Sequence, residues 1–224
     1  MGLFLTVIVL SSIEILLSAQ DIPFCLMRPP CETIQIPDQG FTWLDSNLYA
    51  DPCAVVDDSM WMRQPADSFD LMVATDGPHG SGRYWTVTIG IAETKKKTPH
   101  RGICLETTTI GWRTLRNFNN VPLPWVGDRD EDGLAEIIIW DSFPLHEEAS
   151  MAEFGLIAWI YEIELAGVFC IDWQLSRELA AEIAAAYHKP VDGINEWIQK
   201  LRNDAARNLE MFASEKCTVR GHGN

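Results

Sequence analysis

One acidic segment of the 224-residue chain, residues 128–136, constrains its folding most, because carboxylates recur at alternate positions on either side of a glycine. The acids at alternate positions are Asp128, Asp130, Asp132 and Glu136, and the glycine is Gly133. A short turning loop can direct alternate side chains at one point, and Ca²⁺ takes about six to eight oxygen ligands. Repulsion among carboxylates so close together would oppose folding unless a cation neutralised them. The pattern therefore predicts a calcium loop.

The order of residues also predicts the ligands. In calcium loops of this kind, side chains bind at the first, third and fifth positions, a backbone carbonyl at the seventh, and an acid at the ninth, directly or through water. The predicted ligands are Asp128, Asp130, Asp132, the carbonyl of Leu134, and Glu136. Gly133 occupies the sharp turn, where a Cβ would be unfavourable. The alternative is an acidic surface turn that binds no ion.

The residues after the loop disfavour an EF-hand. An EF-hand loop needs a bidentate acid at its twelfth position, and Ile139 stands there, inside the apolar run from Ile137 to Trp140. The chain is therefore predicted to leave the loop as a strand.

An acidic loop that leads into a short apolar strand resembles the FG-GAP or VCBS-type repeat, the calcium-loop blade of integrin-like β-propellers. The resemblance covers about residues 127–165 in a single copy, with strands at 136–140 and from near Gly155. Glu136 stands where that family usually has aspartate, and residues 141–153 depart from its glycine-rich link. Propellers need about four to eight blades. The resemblance therefore implies a calcium loop within a β domain and not a whole propeller.

Composition indicates one folded domain, with 47% hydrophobic residues and nine tryptophans. The formal charge of −15 argues against nucleic acid and anionic membrane surfaces as partners, since both attract lysine and arginine clusters. A short basic run, Lys95 to Lys97, is predicted to be a solvated hairpin tip.

The first 20 residues resemble a secretory signal peptide. Leu3 to Leu10 is almost wholly apolar, Ile13 to Leu17 continues it, and Ser18 and Ala19 follow. A permanent membrane anchor is the alternative, but the stretch is short and Glu14 interrupts it. We expect a secreted or periplasmic protein whose mature chain is not stably inserted in a membrane.

Cysteine usage agrees with export. Six cysteines lie beyond the signal segment, an even number that allows up to three disulfides. They are Cys25, Cys31, Cys53, Cys104, Cys170 and Cys217. The sequence predicts that Cys25 and Cys31 could close a small loop and that Cys217 could tie the C-terminus to the domain. Zinc is the competing explanation, although no CxxC or HxxxH spacing occurs.

Three regions follow the signal segment, and together they predict an α+β fold. Residues 21–68 are rich in proline, aspartate and cysteine and are predicted to form an irregular arm. Residues 69–170 are predicted to form an antiparallel β meander that includes the calcium loop. Residues 171–217 are predicted to form a helical hairpin packed on the same domain. Strands are expected at 71–74, 85–91, 103–115, 135–140 and 157–165, mostly from apolar alternation.

The hairpin prediction depends on helical periodicity. In the first helix Asp172 could be the N-cap and Pro190 ends the run. The second helix is predicted from about Asp192 to Ser214, with arginines on the side opposite its apolar stripe. Apolar residues recur in the two helices at Leu175, Leu179, Ile183 and Tyr187, and at Ile194, Trp197, Ile198, Leu201, Ala205, Leu209 and Phe212.

The sequence contains no catalytic motif as specific as the loop. GxSxG and HExxH are absent, and the best candidates for catalysis are Asp141 and His146 within residues 141–148. Trp43, Trp61, Trp112 and Trp125 lie in or near predicted loops, where exposed rings would suit a protein or carbohydrate ligand. We expect an exported calcium-binding module with a structural ion. The alternative is a secreted hydrolase that uses the Asp141–His146 region or the metal loop.

Overall fold

The computed structural model describes residues 24–43, 60–63, 69–79, 84–93, 101–108, 126–150, 152–165 and 167–219. The predicted signal segment, the lysine run at 95–97, and Trp112 and Trp125 lie outside these ranges. None of the helices within them is long and apolar enough to cross a bilayer.

The described residues form strands and two helices. The strands are β1 Phe24–Cys25, β2 Thr33–Gln35, β3 Gly40–Trp43, β4 Met60–Arg63, β5 Phe69–His79, β6 Tyr84–Glu93, β7 Arg101–Thr108, β8 Val126–Gly127, β9 Glu136–Pro144, β10 Phe154–Leu165, β11 Val168–Asp172 and β12 Thr218–Val219. The helices are α1 Trp173–His188 and α2 Glu196–Ala213.

The strands are arranged in two five-stranded sheets and one two-stranded sheet. The first sheet has the order β2-β11-β10-β9-β8 and the second the order β3-β7-β6-β5-β4. Consecutive strands within each larger sheet pair antiparallel, from β4 to β7 and from β8 to β11. The predicted α+β class, with an antiparallel meander followed by a helical hairpin, is confirmed. The meander is divided between two sheets.

The predicted irregular arm, residues 21–68, contains short strands that join both larger sheets. Strand β2 pairs antiparallel with β11, while β3 pairs parallel with β7 and β4 pairs antiparallel with β5. Segments of three or four residues are too short for apolar alternation to distinguish them from loop. Their strand conformation comes from the pairing partner.

The helices cover one face of the first sheet. The ring centroid of Trp159 on β10 lies 5.5 Å from that of Phe212 on α2 and 6.0 Å from that of Trp173 on α1, both edge-on. A Cβ added to Gly155 would lie 2.5 Å from the Phe143 ring on β9 and 3.1 Å from the Cβ of Ala205 on α2. Glycine at this position therefore leaves room for the cross-strand phenyl ring and for α2 above the sheet.

The opposite face of the first sheet is buried as well. Cross-strand partners share a face, and the pairs Ile138 with Ile160 and Trp140 with Ala158 are fully enclosed. Strand β7 contacts β9, and residues of both larger sheets and both helices belong to one hydrophobic core. Burial on both faces explains why the start of β9 is a continuous apolar run instead of an alternating one.

Helix α1 also binds the backbone of β10. The Leu156 N–H donates to the Tyr187 hydroxyl at 3.0 Å, and the Ile160 N–H donates to Ser176 Oγ at 2.9 Å. Buried amides need such acceptors. The helix is therefore fixed to the sheet by hydrogen bonds as well as by apolar packing.

The boundaries of α1 agree with the sequence. Asp172 is the N-cap, and its Oδ1 accepts a hydrogen bond from the Leu175 N–H at 2.7 Å. The helix ends at His188, just before Pro190. The predicted apolar positions Leu179, Ile183 and Tyr187 are buried.

Helix α2 begins later than predicted. Asn195 is its N-cap and accepts a hydrogen bond from the Ile198 N–H at 2.9 Å, while Gly193 has φ +76° and turns the chain beforehand. Trp197, predicted on the apolar stripe, is 47% exposed because it lies in the first turn, before the helix packs. The later part of the stripe is buried at Leu201, Ala205, Leu209 and Phe212, whereas Ile194 and Ile198 are partly buried.

The prediction that the arginines of α2 lie on its solvent side is wrong for Arg202, which is only 3% exposed. Its guanidinium donates to the carbonyls of Ala186 and Lys189, both at 3.0 Å, and lies 5.4 Å from the ring centroid of Tyr187. The last carbonyls of a helix have no partner within the helix and carry partial negative charge. Arg202 therefore joins α2 to the C-terminal end of α1.

One disulfide, Cys25–Cys217, joins the two ends of the described chain with a Cα–Cα distance of 5.3 Å. The prediction that Cys217 ties down the C-terminus is confirmed, whereas the Cys25–Cys31 loop is wrong. Cys31 and Cys170 are free thiols, which excludes three disulfides, and Cys104 is disulfide-bonded. Cys31 lies just before β2, which pairs with β11. Its carbonyl accepts a hydrogen bond from the hydroxyl of Tyr161 on β10 at 2.7 Å, so this segment is held against the first sheet.

Candidate metal centre

The acidic loop connects β8 to β9 at an edge of the first sheet. The two strands pair antiparallel, with Val126 opposite Ile137 and Gly127 opposite Glu136. Residues 128–135 therefore close a hairpin whose ends are held by the sheet. The predicted exit from the loop into a strand is confirmed.

The hairpin brings four of the predicted ligand side chains together. One carboxylate oxygen from each lies within 4.8 Å of the others. The four residues are Asp128, Asp130, Asp132 and Glu136. The three aspartates are exposed, whereas Glu136 is 2% exposed. The cluster is therefore an outward-facing cup with one buried acid at its base.

Backbone amides within the loop orient the aspartates. The Asp132 N–H donates to Asp130 Oδ1 at 3.1 Å, the Gly133 N–H to Asp128 Oδ2 at 3.1 Å, and the Leu134 N–H to Asp132 Oδ1 at 2.7 Å. Gly133 has φ +88°, and a Cβ built there would meet nothing within 4 Å. Glycine is required at this position by the left-handed backbone and not by lack of space.

Glu136 is the acid most affected by its surroundings. Burial raises its pKa to about 7, although a hydrogen bond from the Arg129 N–H acts in the opposite direction. The charges of Asp128, Asp130 and Asp132 raise the pKa further. The ionised form of Glu136 is therefore disfavoured when the loop holds only carboxylates, and a nearby cation would favour it.

The donor chemistry suits a hard cation. The clustered atoms are carboxylate oxygens, which Ca²⁺ and Mg²⁺ prefer, whereas structural zinc sites are built mainly from cysteine and histidine. The cluster could therefore hold a metal ion. The carbonyl of Leu134, the fifth predicted ligand, stays a prediction.

A second acidic pair lies close to the loop and was not predicted from the sequence. Glu162 on β10 and Asp172 on β11 occupy neighbouring positions on one face, since Ile160 is opposite Asp172 and Glu162 is opposite Cys170. Burial, a hydrogen bond with Asp172, and the charges of Asp172 and the loop aspartates raise the pKa of Glu162 to about 7. Glu162 thus tends to retain its proton near neutral pH.

This pair leads to a prediction about pH. A raised pKa means that the folded protein binds the Glu162 proton more tightly than the unfolded chain does. The stability that this tighter proton binding contributes is lost as pH rises from about 4.5 towards 7. Glu162→Gln cannot ionise. In chelator, we expect it to gain stability relative to wild type at pH 8 and to differ little at pH 4, measured by urea unfolding. Glu164→Gln, at an exposed position on the same strand, is the control. A wild-type pH dependence in Glu162→Gln would contradict this account.

The structure places the two candidate residues of the hydrolase alternative in different surroundings. Asp141 is buried in β9, and its Oδ1 accepts a hydrogen bond from the Ser142 N–H at 2.7 Å. His146 is exposed beyond the end of β9, and its Nε2 lies 3.5 Å from Glu153 Oε1. Hydrolysis at residues 141–148 therefore stays a prediction, with Glu153 as a carboxylate beside the imidazole.

The tryptophans proposed as ligand anchors have mixed outcomes. Trp43 lies in β3 and Trp61 in β4, and Trp112 and Trp125 are outside the described residues. Among the residues whose exposure is described, Trp197 is the large hydrophobic side chain that is exposed. Helical periodicity alone placed it on the apolar stripe, and only the late start of α2 explains its exposure.

Comparison with known proteins gives no relative: the chain matches no protein-family model, no curated protein and no solved structure. The resemblance to the FG-GAP or VCBS-type repeat therefore stays a prediction from residues 127–165. The assignment of the centre comes from its geometry, namely the oxygen donors, the left-handed glycine and the buried acid.

Proposed function

We propose that this protein is an exported calcium-binding module in which Ca²⁺ is a structural ion, with a binding or accessory role towards a protein or carbohydrate ligand. The observation that supports it best is the cluster of four carboxylates within 4.8 Å of one another, supplied by a single short loop. Like charges at this spacing repel one another strongly. A divalent cation bound among them would remove most of that repulsion.

Calcium is the cation that best suits this loop. Mg²⁺ requires near-ideal octahedral geometry and usually keeps several waters, whereas Ca²⁺ accepts flexible coordination by six to eight oxygens. Four carboxylates and the predicted Leu134 carbonyl would supply five or more oxygens, with water completing the sphere. The exposed aspartates leave a path for the ion to enter.

A structural role agrees with the position of the loop. The predicted ligands lie between two paired strands, so a bound ion would hold the β8–β9 hairpin closed at the sheet edge. The pairing of β8 with β9 covers only two residue pairs. Strand pairing alone therefore stabilises this hairpin little, and an ion bound in the loop would add to its stability. The Cys25–Cys217 disulfide supports an oxidising compartment, where free Ca²⁺ is available to an exported protein.

The proposal is tested by titrating chelator-stripped protein with Ca²⁺ in a calorimeter and by melting it with Ca²⁺ and with chelator. We expect one saturable site. At a Ca²⁺ concentration about 100 times Kd, the ion should add roughly 2.7 kcal/mol, which raises the melting temperature of a domain of this size by about 5–10 °C.

Two matched variants distinguish the loss of a ligand from the loss of one negative charge elsewhere in the loop. Asp130→Ala should weaken Ca²⁺ binding at least about tenfold, because affinity follows the number of charged ligands. Glu131→Ala removes an exposed acid that lies in the same loop but outside the cluster, and should bind almost as wild type does. If wild type shows no binding heat and the same melting temperature with Ca²⁺ and with chelator, the loop is an acidic turn that binds no ion.

A further inference from the structure

Arg129 lies inside the metal loop and has two carboxylate partners besides the loop aspartates. Its backbone N–H donates to a carboxylate oxygen of Glu136. Its guanidinium donates to Glu182 Oε1 on α1 at 2.7 Å. One residue therefore connects the buried acid of the cluster to a helix distant in sequence.

The helix that carries Glu182 is fixed to the sheet. Glu182 is on the exposed side of α1, between the buried residues Leu179 and Ile183. The same helix is bonded to the β10 backbone through Ser176 and Tyr187. A side chain held by Glu182 is therefore held relative to the sheet, whereas the loop on its own is anchored only at its two ends.

We propose that Arg129 and Glu182 are positioning residues of the metal centre: the ion pair with α1 holds Arg129 so that its N–H orients Glu136 towards the ion. This inference rests on the proposed function, since it concerns the same site. Neither residue is a ligand. Both act through Glu136, and a preorganised ligand loses less entropy when the ion binds.

Electrostatics alone predicts the opposite effect for Arg129. A guanidinium next to a cation site repels the ion, so removing its charge should tighten binding. If Arg129 positions Glu136, removing it should weaken binding in spite of that relief. The sign of the change therefore distinguishes the two accounts.

The test measures Kd for Ca²⁺ by calorimetry in the full chain, in four variants of the ion pair and in one control variant. We expect Arg129→Gln and Glu182→Gln each to weaken binding about two- to fivefold, the size typical of an exposed ion pair. The double variant should be no weaker than either single one, because both remove the same contact. Arg129→Lys keeps a cationic donor and should restore affinity to near wild type.

Glu178→Gln is the matched control for helix charge. Glu178 lies one turn earlier on α1, is exposed, and accepts a hydrogen bond from Gln174 at 3.1 Å instead of binding Arg129. It should bind Ca²⁺ as wild type does. The melting temperature in chelator should be nearly the same for all variants. The changes in Kd would then not come from a general loss of stability.

Three results would overturn the positioning role. They are tighter binding by Arg129→Gln, equal affinities for Glu182→Gln and Glu178→Gln, and additive losses in the double variant. Failure of the proposed function is a different result, in which wild type itself shows no Ca²⁺ binding.

Discussion

Cys217→Ser should lower the free energy of unfolding by about 2–5 kcal/mol, the usual cost of losing a native disulfide. The bond joins residues 192 positions apart, and a crosslink over so long a loop strongly restricts the unfolded chain. It also holds β1 beside β12, a parallel pair of only two residues each that has little pairing of its own. Loss of the bond should therefore release both ends of the described chain.

Urea unfolding monitored by tryptophan fluorescence measures this effect. Cys170→Ser is the matched control, because it also exchanges sulfur for oxygen but at a free, partly exposed thiol. We expect the control to change stability by less than about 0.5 kcal/mol. Reductant is a poorer test, since Cys104 is also disulfide-bonded. Equal stability of the two variants would show that the Cys25–Cys217 bond contributes nothing.

Trp159→Ala should cost about 3–5 kcal/mol, as large-to-small substitutions of buried aromatic residues do. Trp159 is fully buried on β10, where its ring meets Phe212 and Trp173 edge-on. Its indole N–H has no hydrogen-bond partner among the described residues. The loss should therefore come from packing and from the cavity between the first sheet and both helices.

Two companion variants make the Trp159 experiment specific. Trp159→Phe keeps most of the ring contact and should lose clearly less than Trp159→Ala. Trp197→Ala removes the exposed tryptophan and should change stability by less than about 0.5 kcal/mol. Urea unfolding compares the three variants with wild type. A Trp159→Ala loss no larger than that of Trp197→Ala would contradict the packing of the helices on this face.

Elements with strong local patterns were predictable from sequence. Strands β6 and β10 alternate, β9 begins with a continuous apolar run, and α1 has an apolar stripe, with a cap directly before it and a proline shortly after its end. These signals depend on period and neighbours along the chain, and the structure confirms them. Strands β2, β3 and β4 were missed because partners elsewhere in the chain decide their conformation.

Side-chain environments were less predictable than elements. Periodicity placed Trp197 in the core and Arg202 outside it, and the structure reverses both. Arg202 is buried because the carbonyls of Ala186 and Lys189 at the end of α1 accept hydrogen bonds from its guanidinium, and Trp197 is exposed because α2 begins only just before it. Neither cause is visible within the helix that contains the residue.

The candidate metal centre shows the same division between local and long-range causes. By itself, the sequence determined which carboxylates meet, because Asp128, Asp130, Asp132 and Glu136 lie within one turn of chain around Gly133, and a turn that short leaves few other arrangements. Only the tertiary structure decided that Glu136 is buried, that Arg129 reaches Glu182, and that Glu162 lies beside Asp172. The physical reason is range: local spacing sets the geometry of a loop, whereas desolvation and cross-element contacts exist only after distant segments have packed together.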